Sequence, residues 1–175
     1  MIWLVAFIAC IWLANWAIET FGLVPVGFGL MAPAGVYFAG LTFTFRDLAH
    51  ERVGRRWVVV AILVGAALSY VISPAFAVAS GVAFLVSEMS DLAVYAPLRK
   101  RSWLGAVALS NTVGLLVDSA LFLWLAFASL EFLPGQVVGK AWMTALAIVV
   151  LMGSRRALSL RQRQGRLRGA SDADA

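Results

Sequence analysis

Apolar stretches of membrane-crossing length recur six times in this chain, and a cluster of basic residues follows every second one. A spanning helix takes roughly 20 mostly apolar residues, so this recurrence dictates a helical bundle in a bilayer. The stretches run approximately from Ile2 to Ile18, Gly27 to Phe45, Trp57 to Ser73, Ala75 to Tyr95, Trp103 to Phe127 and Val137 to Met152. The clusters are Arg46, Arg52, Arg55 and Arg56; then Arg99, Lys100 and Arg101; then Arg155, Arg156, Arg161, Arg163, Arg166 and Arg168. They take in all but one of the 14 Lys and Arg, and with six spans they all fall on one face. Basic residues accumulate on the cytoplasmic side, so both termini are expected there. The expectation is an all-α, polytopic protein of the bacterial inner (plasma) membrane: one helical domain over 1–154, then a basic, disordered cytoplasmic tail over 155–175.

Composition agrees: 62% of residues are hydrophobic and 13% charged, against about 25% charged in a soluble domain. The first stretch lacks a basic n-region and an A-x-A-like cleavage site, so it reads as a spanning helix and not a signal peptide. Trp57 and Trp103 follow basic clusters, where indole rings favour the interface, and Trp16 and Trp142 fit the opposite belt. The net charge of +5 belongs to topology and anionic lipid, and no folded nucleic-acid module accompanies it. The single Cys10 excludes an intrachain disulfide, and no Cys/His cluster has metal-ligand spacing, so no cofactor is expected. Neither a phosphate-binding loop nor a nucleophile elbow is present, which argues against an enzyme.

The informative residues are polar ones at membrane depth. Each carboxylate at a helix centre costs about 2.5–3.5 kcal/mol on insertion scales, so Glu88, Asp91 and Asp118 must face a partner or a watery cavity. Glu88, Asp91, Tyr95 and Arg99 lie three or four residues apart, on one stripe of a helix, with Ser87 beside it. Asn111, Gly114 and Asp118 form a similar stripe on the next span, flanked by Ser119. From the rise per residue, Glu88 lies about 3 Å to the basic side of midplane and Asp118 about 4.5 Å to the other, addressing a common volume. Arg99 is within reach of Asp91 as a partner. Phe84, Tyr95 and Phe122 could stack on a flat solute or simply pack.

Two further segments stand out. The second span packs Gly22, Pro25, Gly27, Gly29, Pro33, Gly35 and Gly40 into one stretch, so a proline/glycine-interrupted helix is expected there. Its glycines would either expose backbone to solute or allow close packing. Then comes RDLAHERVGRR, where Asp47, Glu51 and Arg55 at i,i+4 spacing would make a charge ladder, with His50 turned away from it.

These segments resemble a known family. DLAHERVG is similar to a D-x-x-x-E-x-[YF]-G element, with Val53 in place of the aromatic residue. SEMSDLAVYAPLRKR is similar to S-E-x-x-D-x-x-V-Y-x-x-L-R, and VDSALFLWLAF to D-S-x-x-F-x-x-x-A-F. All three occur, in this order, in the vitamin uptake transporter family, also called queuosine precursor transporters. The resemblance covers about Pro33 to Phe127 and implies import of a 7-deazaguanine base, 7-cyano-7-deazaguanine or 7-aminomethyl-7-deazaguanine, for tRNA modification. Carried over by position, it points to Asp47, Glu51, Ser87, Glu88, Asp91, Tyr95, Arg99, Asp118 and Ser119. We therefore expect substrate binding by Glu88, Asp91, Asp118, Asn111, Ser87, Tyr95 and Ser119, and gating or coupling by Asp47, Glu51 and Arg99. Proton coupling and a homodimer are open alternatives. So is the substrate-binding subunit of an energy-coupling-factor importer; Ala6, Cys10 and Ala14, at four-residue spacing, would either dock its partner or pack within the bundle.

Overall fold

A computed structural model describes residues 1–147, 149 and 150. The tail 155–175, its arginines and the expected end of the last span at Met152 lie outside the described residues. Six helices follow one another: α1 (Ile2–Phe21), α2 (Val36–Val53), α3 (Arg55–Tyr70), α4 (Pro74–Leu98), α5 (Trp103–Phe127) and α6 (133–147). Between α1 and α2 lies a two-stranded antiparallel hairpin, β1 (Leu23–Gly27) and β2 (Leu30–Pro33). Among the described residues, three segments are long and apolar enough to cross a bilayer on those grounds alone: Ile2–Phe21, Pro74–Leu98 and Ala108–Phe127. The turns fall where local chemistry puts them. Pro74 opens α4 in the first turn, where its missing N–H costs nothing. Ser102 caps α5 by accepting a hydrogen bond from the Gly105 N–H at 3.2 Å. Gly54, at φ 82°, separates α2 from α3.

The expected second span, Gly27 to Phe45, is corrected. Its first part is not a kinked helix but the hairpin, and helix begins only at Val36. Gly27 pairs with Leu30 across the tip residues Phe28 and Gly29, which both have positive φ, 54° and 73°. That is the geometry of a tight hairpin turn, whose twist suits the flanking strands. The hairpin lies on a stripe of α6: Gly135 meets the Met31 backbone, Gly139 meets Val26 and Val36, and Phe28 stacks on Trp142 at 6.3 Å. Trp142 lies about 13 Å from residue 133 by helical rise.

Close packing, not backbone exposure, explains the glycines of α2. A Cβ on Gly35 would stand 2.5 Å from the Ala14 carbonyl oxygen, and one on Gly40 would stand 2.6 Å from Met143 Cβ. Ala14 and the buried Cys10 belong to the bundle's interior packing. One apolar core, with Phe7, Ile11, Val58, Ile62 and Phe84, ties α1, α3 and α4 together near the α2–α3 turn. A second, with Ile18, Ala83, Phe122 and Leu123, joins α1, α4 and α5. The approach at Gly40 sets α6 against α2 and so fixes where Lys140 emerges.

Candidate functional site

Two buried basic side chains organise the polar interior. Arg46, on the fourth turn of α2 one residue after Phe45, is only 4% exposed. Its Nη1 donates to Glu88 Oε2 at 2.9 Å, while Nε and Nη2 donate to Asp47 Oδ1 at 2.9 and 2.8 Å. Glu88 is buried; Asp47 is largely exposed. Arg46 was expected to be one member of a topogenic cluster, and is instead the partner of the deepest acid of α4. A guanidinium suits this position because it offers five donors in a fixed fork, enough to hold two carboxylates at once.

Around this pair opens a cavity of about 640 Å³, within the range of roughly 300–1,000 Å³ usual for small-molecule sites. It lies between α2, α4 and α5 at the basic end, and its walls carry Arg46, Glu88, Asp91, Tyr95, Arg99 and Asn111. Asp47 and Glu51 line it too, as does His50, so the expectation that His50 turns away from these acids is corrected. The ladder of Asp47, Glu51 and Arg55 does not form as one helix, because the chain breaks at Gly54 between α2 and α3. Arg99 is not paired with Asp91; its guanidinium lies over the Tyr95 ring at 5.9 Å. Asp91 Oδ1 is buried and, among the described residues, accepts no hydrogen bond. Gly114 faces it across the α4–α5 contact, where a Cβ would stand 3.5 Å from the Asp91 Cβ. The absent side chain lets α5 close on Asp91, and Oδ1 lies against that contact.

Asp118 lies elsewhere. Lys140 of α6, 1% exposed, donates from Nζ to Asp118 Oδ2 at 2.5 Å and to Ser119 Oγ at 2.8 Å. Asp118 and Lys140 line a small chamber of about 50 Å³ with Asn15, Thr42, Ser80 and Gln136. Asn15 Nδ2 donates to the Ile11 carbonyl and Ser69 Oγ, and Asn15 Oδ1 accepts from the Ser80 hydroxyl. Between Lys140 and Arg46 stands Phe43, its ring centroid 5.8 Å from Lys140 Nζ and 5.2 Å from the Arg46 guanidinium, stacked on Phe84 at 5.5 Å. The common volume expected for all three acids is therefore divided in two. Helical rise gave Asp118 a depth but not its azimuth, and its face of α5 turns to α6.

The remaining residues divide likewise. Ser119 serves Lys140, and Ser87 is fully buried with its hydroxyl donating to the Phe84 carbonyl at 2.9 Å, away from the cavity. Phe122 is core packing, and Phe84 is half of the aromatic septum. Sequence reasoning missed Arg46, Lys140, Asn15 and Gln136. The available signal was Lys140 itself, a lysine in the last apolar stretch remote from every basic cluster. Among the described residues no group of His, Cys, Asp and Glu could hold a metal ion.

Residues 67–153 match the family model described as "Putative vitamin uptake transporter". The matched stretch is just under half of the chain, and over it the chain is similar to that family. The match takes in α4, α5 and α6, and so holds Glu88, Asp91, Asp118 and Lys140, but not Arg46, Asp47 or Glu51. No curated protein and no solved structure matches the chain. The family similarity and the helices together make this a membrane protein similar to a transporter family, with a polar cavity at the basic end and a smaller polar chamber around Lys140.

Proposed function

We propose that this transporter imports a 7-deazaguanine base, either 7-cyano-7-deazaguanine or 7-aminomethyl-7-deazaguanine, with the cavity at the basic end opening to the cytoplasm of a bacterial inner membrane. The observation that carries the reading is Asp91, a residue on the wall of a cavity of small-molecule size whose carboxylate keeps one buried oxygen, Oδ1, without a hydrogen bond among the described residues, so that a turn of the carboxylate would present it to a ligand. A guanine-like edge presents an N–H and an amino group side by side, and a carboxylate accepts both in a bidentate pair. Such a ligand would satisfy an oxygen that is costly to leave bare.

The surroundings support a flat, polar solute. Tyr95 offers a ring for stacking, Asn111 offers both donor and acceptor, and Arg46 holds Glu88 beside Asp91 so that the two acids stand close with only one committed. An aminomethyl substituent would find a second carboxylate there, and Asp47, Glu51 and Arg99 stand along the same cavity as gating groups. The test is uptake in cells unable to synthesise deazaguanines, with queuosine in tRNA as the readout. Restored modification on feeding either base, lost with Asp91→Asn at equal expression, is expected. Failure with both bases would refute the substrate. Binding by purified protein without transport in liposomes would favour a substrate-binding subunit that needs an ATPase partner.

A further inference from the structure

The chamber around Lys140 is not accounted for by base recognition. Its volume of about 50 Å³ admits a few waters, at roughly 10–15 Å³ each on this measure, and not a bicyclic base. Holding α5 to α6 does not explain its chemistry either, because apolar residues of similar size hold helices together as well as a buried ion pair does, or better. Two details point further. Gln136 Oε1 is buried and, among the described residues, accepts no hydrogen bond. Gln136 also precedes Lys140 by four residues on α6 and lines the same chamber, so it lies on the Lys140 face of the helix.

We infer that the Asp118–Lys140 pair is the coupling site of the transporter, taking a proton on Asp118 while the Lys140 ammonium moves from Asp118 to Gln136. The inference rests on the transport reading above. The proton adds to Asp118 Oδ2, converting carboxylate to carboxylic acid; the Lys140 Nζ–H bond to that oxygen breaks and re-forms to Gln136 Oε1. Lys140 stays protonated throughout, and loss of the proton from Asp118 reverses both changes. The chamber thereby passes from net neutral to singly positive.

The charged groups that would sense this are few. On α5 the chamber presents Asp118, on α6 Lys140, and from α1 only the uncharged Asn15. Across Phe43 stand Arg46 of α2 and its partner Glu88 of α4. Phe43 touches both cations and stacks on Phe84, which also lines the chamber, so displacement of Lys140 bears directly on the layer between chamber and cavity. A two-position lysine beside that layer is the kind of bistable element through which one site biases another.

The experiment uses the full chain in proteoliposomes with labelled 7-cyano-7-deazaguanine, measuring counterflow without a gradient and accumulation under an inward proton gradient. Wild type is expected to do both. Gln136→Leu leaves the ion pair in place and should keep counterflow within about twofold while accumulation falls at least tenfold. A second measurement is infrared difference spectroscopy on acidification: a protonated-carboxyl band should appear in wild type and be absent from the charge-neutral double variant Asp118→Asn/Lys140→Gln. Unchanged accumulation in Gln136→Leu, parallel loss of counterflow and accumulation, or a band that persists in the double variant would each overturn the proposal. Wild-type counterflow without accumulation would overturn coupling alone, whereas no counterflow in wild type would remove the transport reading with it.

Discussion

Arg46 and Lys140 both hold a carboxylate inside the bundle, yet the two regions leave different things over. At the basic end, Arg46 is shared between Glu88 and Asp47, and Asp91 beside them lines a cavity of about 640 Å³ while its buried Oδ1 accepts no hydrogen bond among the described residues. Around Lys140 every charge is matched, and the bare atom is a neutral amide oxygen in a chamber of about 50 Å³. The first arrangement can take up a sizeable solute with paired donors; the second can only rearrange a proton and a lysine. Burial alone does not make a binding site. What matters is which acceptor remains unmatched and how much room lies in front of it.

The sharpest way to break this comparison is to unpair the chamber. Lys140→Met leaves Asp118 buried without its cation and should cost about 3–5 kcal/mol, whereas Lys140→Met with Asp118→Leu should regain most of that loss. Thermal unfolding in detergent reads both, and equal destabilisation by single and double variants would show that the pair is not what matters. Next in size is Gly40→Ala, which sets a methyl group against Met143 and the Lys140 backbone. It should cost about 1–3 kcal/mol by pushing α6 from α2, read by the same melt. Asp91→Asn should move the melting temperature by only a few degrees, since Oδ1 has no hydrogen bond to lose among the described residues, while uptake of the base falls at least tenfold, about 1.4 kcal/mol in affinity. The smallest effect belongs to the cap outside both regions: Ser102→Ala should cost about 0.5–1 kcal/mol and leave base binding unaltered.

How much of this was legible in the sequence depends on which kind of signal each residue gives. The helices were legible because six long apolar runs leave little choice, and the acids because charge at such depth is anomalous. Glu88, Asp91, Tyr95, Arg99 and Asn111 do share a cavity, as helical spacing within each span implies. Partners across helices were not legible, since nothing in local periodicity says that Lys140 of α6 meets Asp118 of α5, or that Arg46 turns inward when Arg52 does not. The segment Gly22–Pro33 read as an interrupted helix because its residues are apolar enough to lie in a membrane. Yet positive φ at Phe28 and Gly29 makes it a hairpin, and Phe28 in that conformation is not a residue whose type announces a turn.

The most direct measurement is equilibrium binding of 7-cyano-7-deazaguanine to purified wild type, Asp91→Asn and the double variant Asp118→Asn/Lys140→Gln, each confirmed folded by its melting curve. The account predicts at least tenfold weaker binding for Asp91→Asn and wild-type affinity, within about twofold, for the double variant. Wild-type affinity in Asp91→Asn together with loss of binding in the double variant would contradict it, and would move base recognition from the open cavity to the chamber around Lys140.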